Sequence, residues 1–159
     1  MVETMNLISI NDRYTLPVPD GFHVLEETDK QKLNVMGGGD WMGLSDPGRH
    51  LLMTLGWKKV GKLPSKLLKT QGLASAMEKK IRGGLRSMHY MLEGFQSRRI
   101  AGLSAEGFRC KYMAQGIPTG AESLVAKDGN VLYYFHFYYR EEQEAQALAV
   151  WEKILASVV

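Results

Sequence analysis

Four histidines, one cysteine and a few serines next to glycines are the residues with the chemistry to react or to hold a metal. His23, His50, His89 and His136 are scattered through 159 residues. No two stand at the i, i+4 or short-loop spacing with which imidazoles chelate a metal. Cys110 is the single cysteine, so an intramolecular disulfide and a thiolate cluster are both ruled out. Its alternation with Phe108 and Tyr112 reads as a small buried residue on a strand. Gly43-Leu44-Ser45-Asp46-Pro47-Gly48 and Gly102-Leu103-Ser104-Ala105-Glu106-Gly107 share the outline of a nucleophile elbow, which needs glycine two places after the serine. Asp46-Pro47 and Ala105-Glu106 follow instead, so both segments read as turns. Gly37-Gly38-Gly39-Asp40 lacks the Gly-Lys-Ser/Thr of a phosphate loop and reads as a connection between strands. No catalytic residue, metal or cofactor is implied.

His136 stands among Tyr134 and Tyr138 on one face of an aromatic run. The plain reading is an aromatic surface packed against a loop or helix. The sharper one is a ligand or peptide groove lined by Ser123, Tyr134, His136 and Tyr138, since Tyr and His combine apolar area with a polar tip. Charge supplies the second candidate. Between Trp57 and Met88 there are nine Lys or Arg against one acid, Glu78; that local +8, in a chain of net charge +3, leaves −5 elsewhere. The basic patch of Lys66, Lys69, Lys79, Lys80, Arg82 and Arg86 reads first as a solvated helix face. It is also compatible with weak binding of an anionic polymer or lipid. No nucleic-acid motif accompanies it, so no specific nucleic acid is expected.

These residues need a scaffold. The composition, 45% hydrophobic and 23% charged, is that of one globular domain over residues 1–159. No apolar stretch approaches the roughly 20 residues of a transmembrane helix. Met1–Ile10 does not read as a signal peptide, so the cytoplasm is the expected compartment by default. The N-terminal part reads as short strands at Leu7–Ile10 and Tyr14–Val18, then Phe22 to Glu26 in alternation, Leu33–Met36, and His50–Trp57 after the Asp46-Pro47-Gly48 turn. From Pro64 to Met88 the period changes: Leu67, Ala74, Met77, Ile81, Leu85 and Met88 form one helical stripe.

Tyr90–Ile100, Glu106–Ala114 and Glu122–Ala126 are strand-like. Asp128-Gly129 between apolar runs predicts a hairpin. If those two residues are the turn, Val125 opposes Leu132, Ser123 opposes Tyr134 and Ala121 opposes His136. The next run, Val131–Tyr139, is apolar on both faces and belongs in the sheet interior. That register sets Glu122 beside Phe135 on a core face, which is awkward for a carboxylate. Glu141, Glu142 and Glu144 open a final helix whose stripe is Leu148, Trp151, Ile154 or Leu155, and Val158. The class is therefore α+β: an antiparallel sheet with amphipathic helices packed on it, expected on one face.

The order of features resembles a known superfamily. Tyr14-Thr-Leu-Pro-Val-Pro-Asp-Gly-Phe22 is similar to the Tyr…Pro-x-Gly-aromatic opening of PsbP-like and Ran-binding import factor-like proteins. A central helix, Gly107-Phe-Arg-Cys-Lys-Tyr112, the aromatic strand after Asp128-Gly129-Asn130 and a closing helix ending Ile154-Leu155-Ala156-Ser157 complete the likeness. The resemblance implies an α-β-α sandwich around a central antiparallel sheet. It also implies binding or scaffolding roles rather than a shared chemistry, as in extrinsic photosystem II subunits, import factors, envelope lipoproteins and effector chaperones. The expected function is a non-enzymatic, chaperone-like module that binds an unknown protein or peptide partner through a sheet face or edge. The alternatives are a small-molecule pocket near His136 and weak anion binding by the basic helix.

Overall fold

A computed structural model describes residues 5–31, 33, 39–61 and 69–159. The expected strand at Leu33–Met36, apart from Leu33, lies outside the described residues. So does the start of the expected helix, residues 64–68 with Lys66 and Leu67. Strands β1 (Met5–Ile10) and β2 (Tyr14–Pro19) pair in a separate hairpin. Its loop carries Asn11 and Asp12 at φ 53° and 52°, a conformation these two residue types tolerate. The main sheet is built from β3 (His23–Val24), β4 (Asp40–Asp46), β5 (Leu51–Lys59), β6 (Met91–Ile100), β7 (Leu103–Ala114), β8 (Ile117–Asp128) and β9 (Val131–Arg140). These run in the order β3-β4-β5-β9-β8-β7-β6, every neighbouring pair antiparallel. The helices are the single-turn α1 (Glu27–Lys30), α2 (Thr70–Gly84) and α3 (Glu144–Ala156).

The aromatic strand β9 lies in the middle of the sheet, as its two apolar faces require. Tyr133, Phe135, Phe137 and Tyr139 pack on one side with Trp151, Ile154 and Leu155 of α3 and with Ile10, Leu16 and Val18 of the hairpin. On the other side Phe108, Cys110, Ala121 and Val125 meet Ala74 and Met77 of α2, with Tyr134 and Tyr138 at the margin. Helices thus cover both faces, not one. Two amphipathic helices with separate apolar stripes each need a sheet face, and a central strand apolar on both sides provides two. The outcome is the α-β-α sandwich.

The hairpin register differs from the sequence expectation by two residues. Asp128 pairs with Val131, Ser123 with His136 and Ala121 with Tyr138. Gly129, at φ 60°, is the first central residue of the turn and Asn130, without positive φ, the second; a II′ turn places its glycine there. Because the slip is even, each side chain keeps its face.

Two segments read as turns are largely strand. Asp40–Asp46 forms β4, leaving only residues 47–50 to turn, because Leu44 is buried beside Met53 of β5. Likewise Ala101-Gly102, at φ 52° and 81°, makes the whole β6–β7 connection, so Leu103 to Gly107 lie in β7. The helical stripe ends early too. Met88 follows α2 in a short 3-10 turn (Arg86–Met88) and is exposed.

Candidate functional site

Alternation along β8 and β9 brings Ser123 and His136 opposite each other on the α2 face. Their side chains are 2.7 Å apart, Ser123 Oγ to His136 Nδ1, and both residues are 2% exposed. Tyr138 stacks near the imidazole at 6.4 Å; Tyr138 and Tyr134 are half-buried. The four predicted groove residues share a face, but its two polar members meet each other and not solvent. Thr54 of β5 is the next cross-strand neighbour of His136. Thr54 Oγ1 and His136 Nε2 are buried without a hydrogen-bond partner. Burial pushes the His136 pKa down to about 4, so the ring is neutral at physiological pH.

On the α3 face, one residue that looked misplaced becomes the centre of a charged cluster. Glu122 is fully buried opposite Arg109 and Phe137. Arg98 donates to both its oxygens, at 2.7 and 2.9 Å, and Arg109 Nε donates at 2.6 Å. The Trp151 indole N–H adds a fourth hydrogen bond at 2.8 Å. Glu152, half-exposed on α3, accepts from Arg98 at 2.5 and 2.8 Å. Burial alone would raise the Glu122 pKa, but hydrogen bonds from Arg98, Trp151 and Arg109 prevail and hold it below the usual carboxylate range. The cluster fastens α3 to the sheet. Sequence reasoning missed it, although a lone Glu on a core face was itself the signal that arginines had to converge there.

Of the basic patch, Lys69, Lys79, Lys80, Arg82 and Arg86 are exposed on and around α2. Arg82 is committed to Glu78, which Tyr90 also reaches at 2.8 Å. The helix therefore anchors part of its own charge. Cys110 is buried, and burial pushes its thiol up to about 12; it is inert to chemistry near neutral pH.

Exposed apolar side chains gather along the outer edge of the sheet. β6 is an end strand of ten residues, with Met91 56%, Leu92 37% and Phe95 54% exposed and Met88 adjoining them. Phe95 leans edge-on against Phe108. At the other end of the sheet, β3 has two residues.

A sheet of this order, with one helix on each face and the hairpin beside the C-terminal helix, is an α-β-α sandwich with the PsbP-like fold. Solved structures bear this out. Cyanobacterial PsbP from Synechocystis superposes with a TM-score of 0.68 at 12% identity, over 100% of this chain and 94% of that one. LpqN of Mycobacterium tuberculosis, involved in cell envelope biogenesis, gives 0.64 at 13% identity over 98% and 90%. Protein PA94 of Pseudomonas aeruginosa gives 0.52 at 11% over 98% and 96%. At these identities the likeness is one of fold. No protein-family model matches the sequence, and no curated protein does. No helix among the described residues is long and apolar enough to cross a membrane.

Proposed function

We propose that the protein is a non-enzymatic, chaperone-like binding module that takes an extended segment of a partner protein along the free edge of β6. The observation that carries this is the exposed Met91, Leu92 and Phe95 on a ten-residue edge strand, with Met88 exposed in the turn before it. Soluble proteins ordinarily shorten, charge or cover such edges. An added strand would use the free backbone groups for affinity and the side-chain pockets for selection. The burial of Ser123 and His136 against each other weighs against a ligand groove at that point. The resemblance to PsbP-like proteins implies binding or scaffolding, which agrees with a surface of this kind.

A photo-activatable residue at Phe95 should crosslink a discrete partner in the native cell, whereas one at the exposed Gly72 of α2 should not. Phe95→Lys should abolish partner capture while unfolding stays cooperative; losing the edge contact with Phe108 should cost about 0.5 to 1.5 kcal/mol, a drop in midpoint of a few degrees. Equal crosslinking at both positions, or capture unchanged by Phe95→Lys, would remove the edge from consideration.

A further inference from the structure

We propose that a groove at the end of the sheet, away from the β6 edge, binds a carboxylate carried on an apolar body. The groove is shallow and open to solvent, with a volume of about 330 Å³, at the low end of the roughly 300–1,000 Å³ of small-molecule sites. It crosses the ends of β4, β5, β9 and β8, between the turn at 47–50 and the turn at 115–116. Cross-strand pairing places Leu52 against Tyr138 and Thr119 against Arg140. Tyr138 and Arg140, two residues apart on β9, share a face.

Arg140 is the residue that selects the ligand. The other half-buried arginines among the described residues, Arg49, Arg98 and Arg109, each hold one or two carboxylates. Arg140 is half-buried, lines the groove, and has no carboxylate within ion-pair distance among the described residues. Partly desolvating a guanidinium without a counter-charge is unfavourable, and its planar fork fits a carboxylate with two parallel hydrogen bonds. Asp46, also in the wall, does not neutralise it, because that carboxylate is taken by Arg49 at 2.5 Å. His50 lines the same groove as a further nitrogen. Leu52, Ile117 and Tyr138 supply apolar wall for the ligand's body, and Leu51 and Tyr139, whose side chains turn into the α3-side core, border it.

The ligand's carboxylate can come from a peptide C-terminus or from a free organic acid. Amide NMR titrations of the full chain with N-acetyl-phenylalanine, N-acetyl-phenylalaninamide and 3-phenylpropionate separate these sources. Either acid should give saturable shifts at Leu52, Thr119 and Arg140, and the amide should bind at least about tenfold more weakly, the usual worth of a charge-assisted pair. Stronger binding of the N-acetylated acid assigns a peptide terminus; stronger binding of phenylpropionate assigns a free acid. Arg140→Gln should cut affinity at least about tenfold, and Arg140→Lys, which keeps charge without the fork, should fall between. Equal binding of acid and amide, shifts clustered elsewhere, no shift with any of the three at millimolar concentration, or wild-type affinity in both variants would overturn the assignment. None of these outcomes bears on partner capture at β6.

Discussion

His136 and Glu122 are neighbours in the middle of one sheet, on opposite faces, and solve the problem of a buried polar group in opposite ways. His136 avoids charge. The unfolded chain, with its imidazole in water, takes up a proton near pH 6.5, whereas the folded one does so only near pH 4. Between those values the unfolded state binds more protons, so stability is full above pH 6.5 and falls on acidification, by roughly 3 kcal/mol in all for a shift of this size. His136→Gln keeps a partner for Ser123 but cannot titrate. Urea unfolding of wild type and variant across pH 4 to 6.5 should show the difference between them shrinking by about that amount as pH falls. Parallel profiles would exclude the assignment. Glu122 instead keeps its charge by collecting four hydrogen bonds. Glu122→Ala would leave Arg98 and Arg109, both partly buried, with only the half-exposed Glu152 as counter-charge and the Trp151 N–H without its acceptor, at a cost of about 3 kcal/mol. Glu152→Ala, which removes a half-exposed partner, should cost less than about 1 kcal/mol. Similar losses from the two in denaturant melts would show that burial does not distinguish them.

Among the elements, α3 depends most on a single side chain. Trp151 is fully buried, its ring stacked on Phe137 at 4.7 Å and 4°, and its N–H is bound to Glu122. Trp151→Ala should cost about 3 to 5 kcal/mol. Trp151→Phe keeps an aromatic face over Phe137 and loses one buried hydrogen bond, so about 1 to 2 kcal/mol is expected. Chemical denaturation resolves the two; an alanine variant within 1 kcal/mol of wild type would detach α3 from the core's energetics. The element was legible in advance because acids ahead of it and an apolar stripe are local features, although Glu141 and Glu142 form a 3-10 turn before the helix and Val158 lies just past its end. The strand β4 was not. Trp41, Met42 and Leu44 are interrupted by Gly43, whose missing side chain leaves room for Leu25 from another segment, so its strand character depends on pairing with β5.

For the molecule as a whole, the two ends of the main sheet are unequal. β3 ends the sheet on one side with two residues, and on the other β6 runs for ten with no described strand beyond it, broken by a bulge between Leu92 and Gly94. Charge is unequal as well, with Lys79, Lys80 and Arg86 exposed on and just beyond α2. An apolar edge beside a cationic helix favours a partner that is itself apolar and acidic. If so, the crosslinks from Phe95 should weaken as salt is raised, in contrast to a purely apolar contact.

The order of amino acids by itself determined the α+β class, the central position of Val131–Tyr139, the closing helix with Trp151 inward and the burial of Cys110. Each follows from periodicity and turn chemistry acting over a few residues. Only the tertiary structure decided that Glu122 would meet Arg98 and Arg109, from 24 and 13 residues away, that Ser123 would be spent on His136, and that β6 would be left at the margin while Arg140 met no carboxylate among the described residues. Those outcomes depend on which strands become neighbours, and alternation states which face a side chain takes without stating what it will find there.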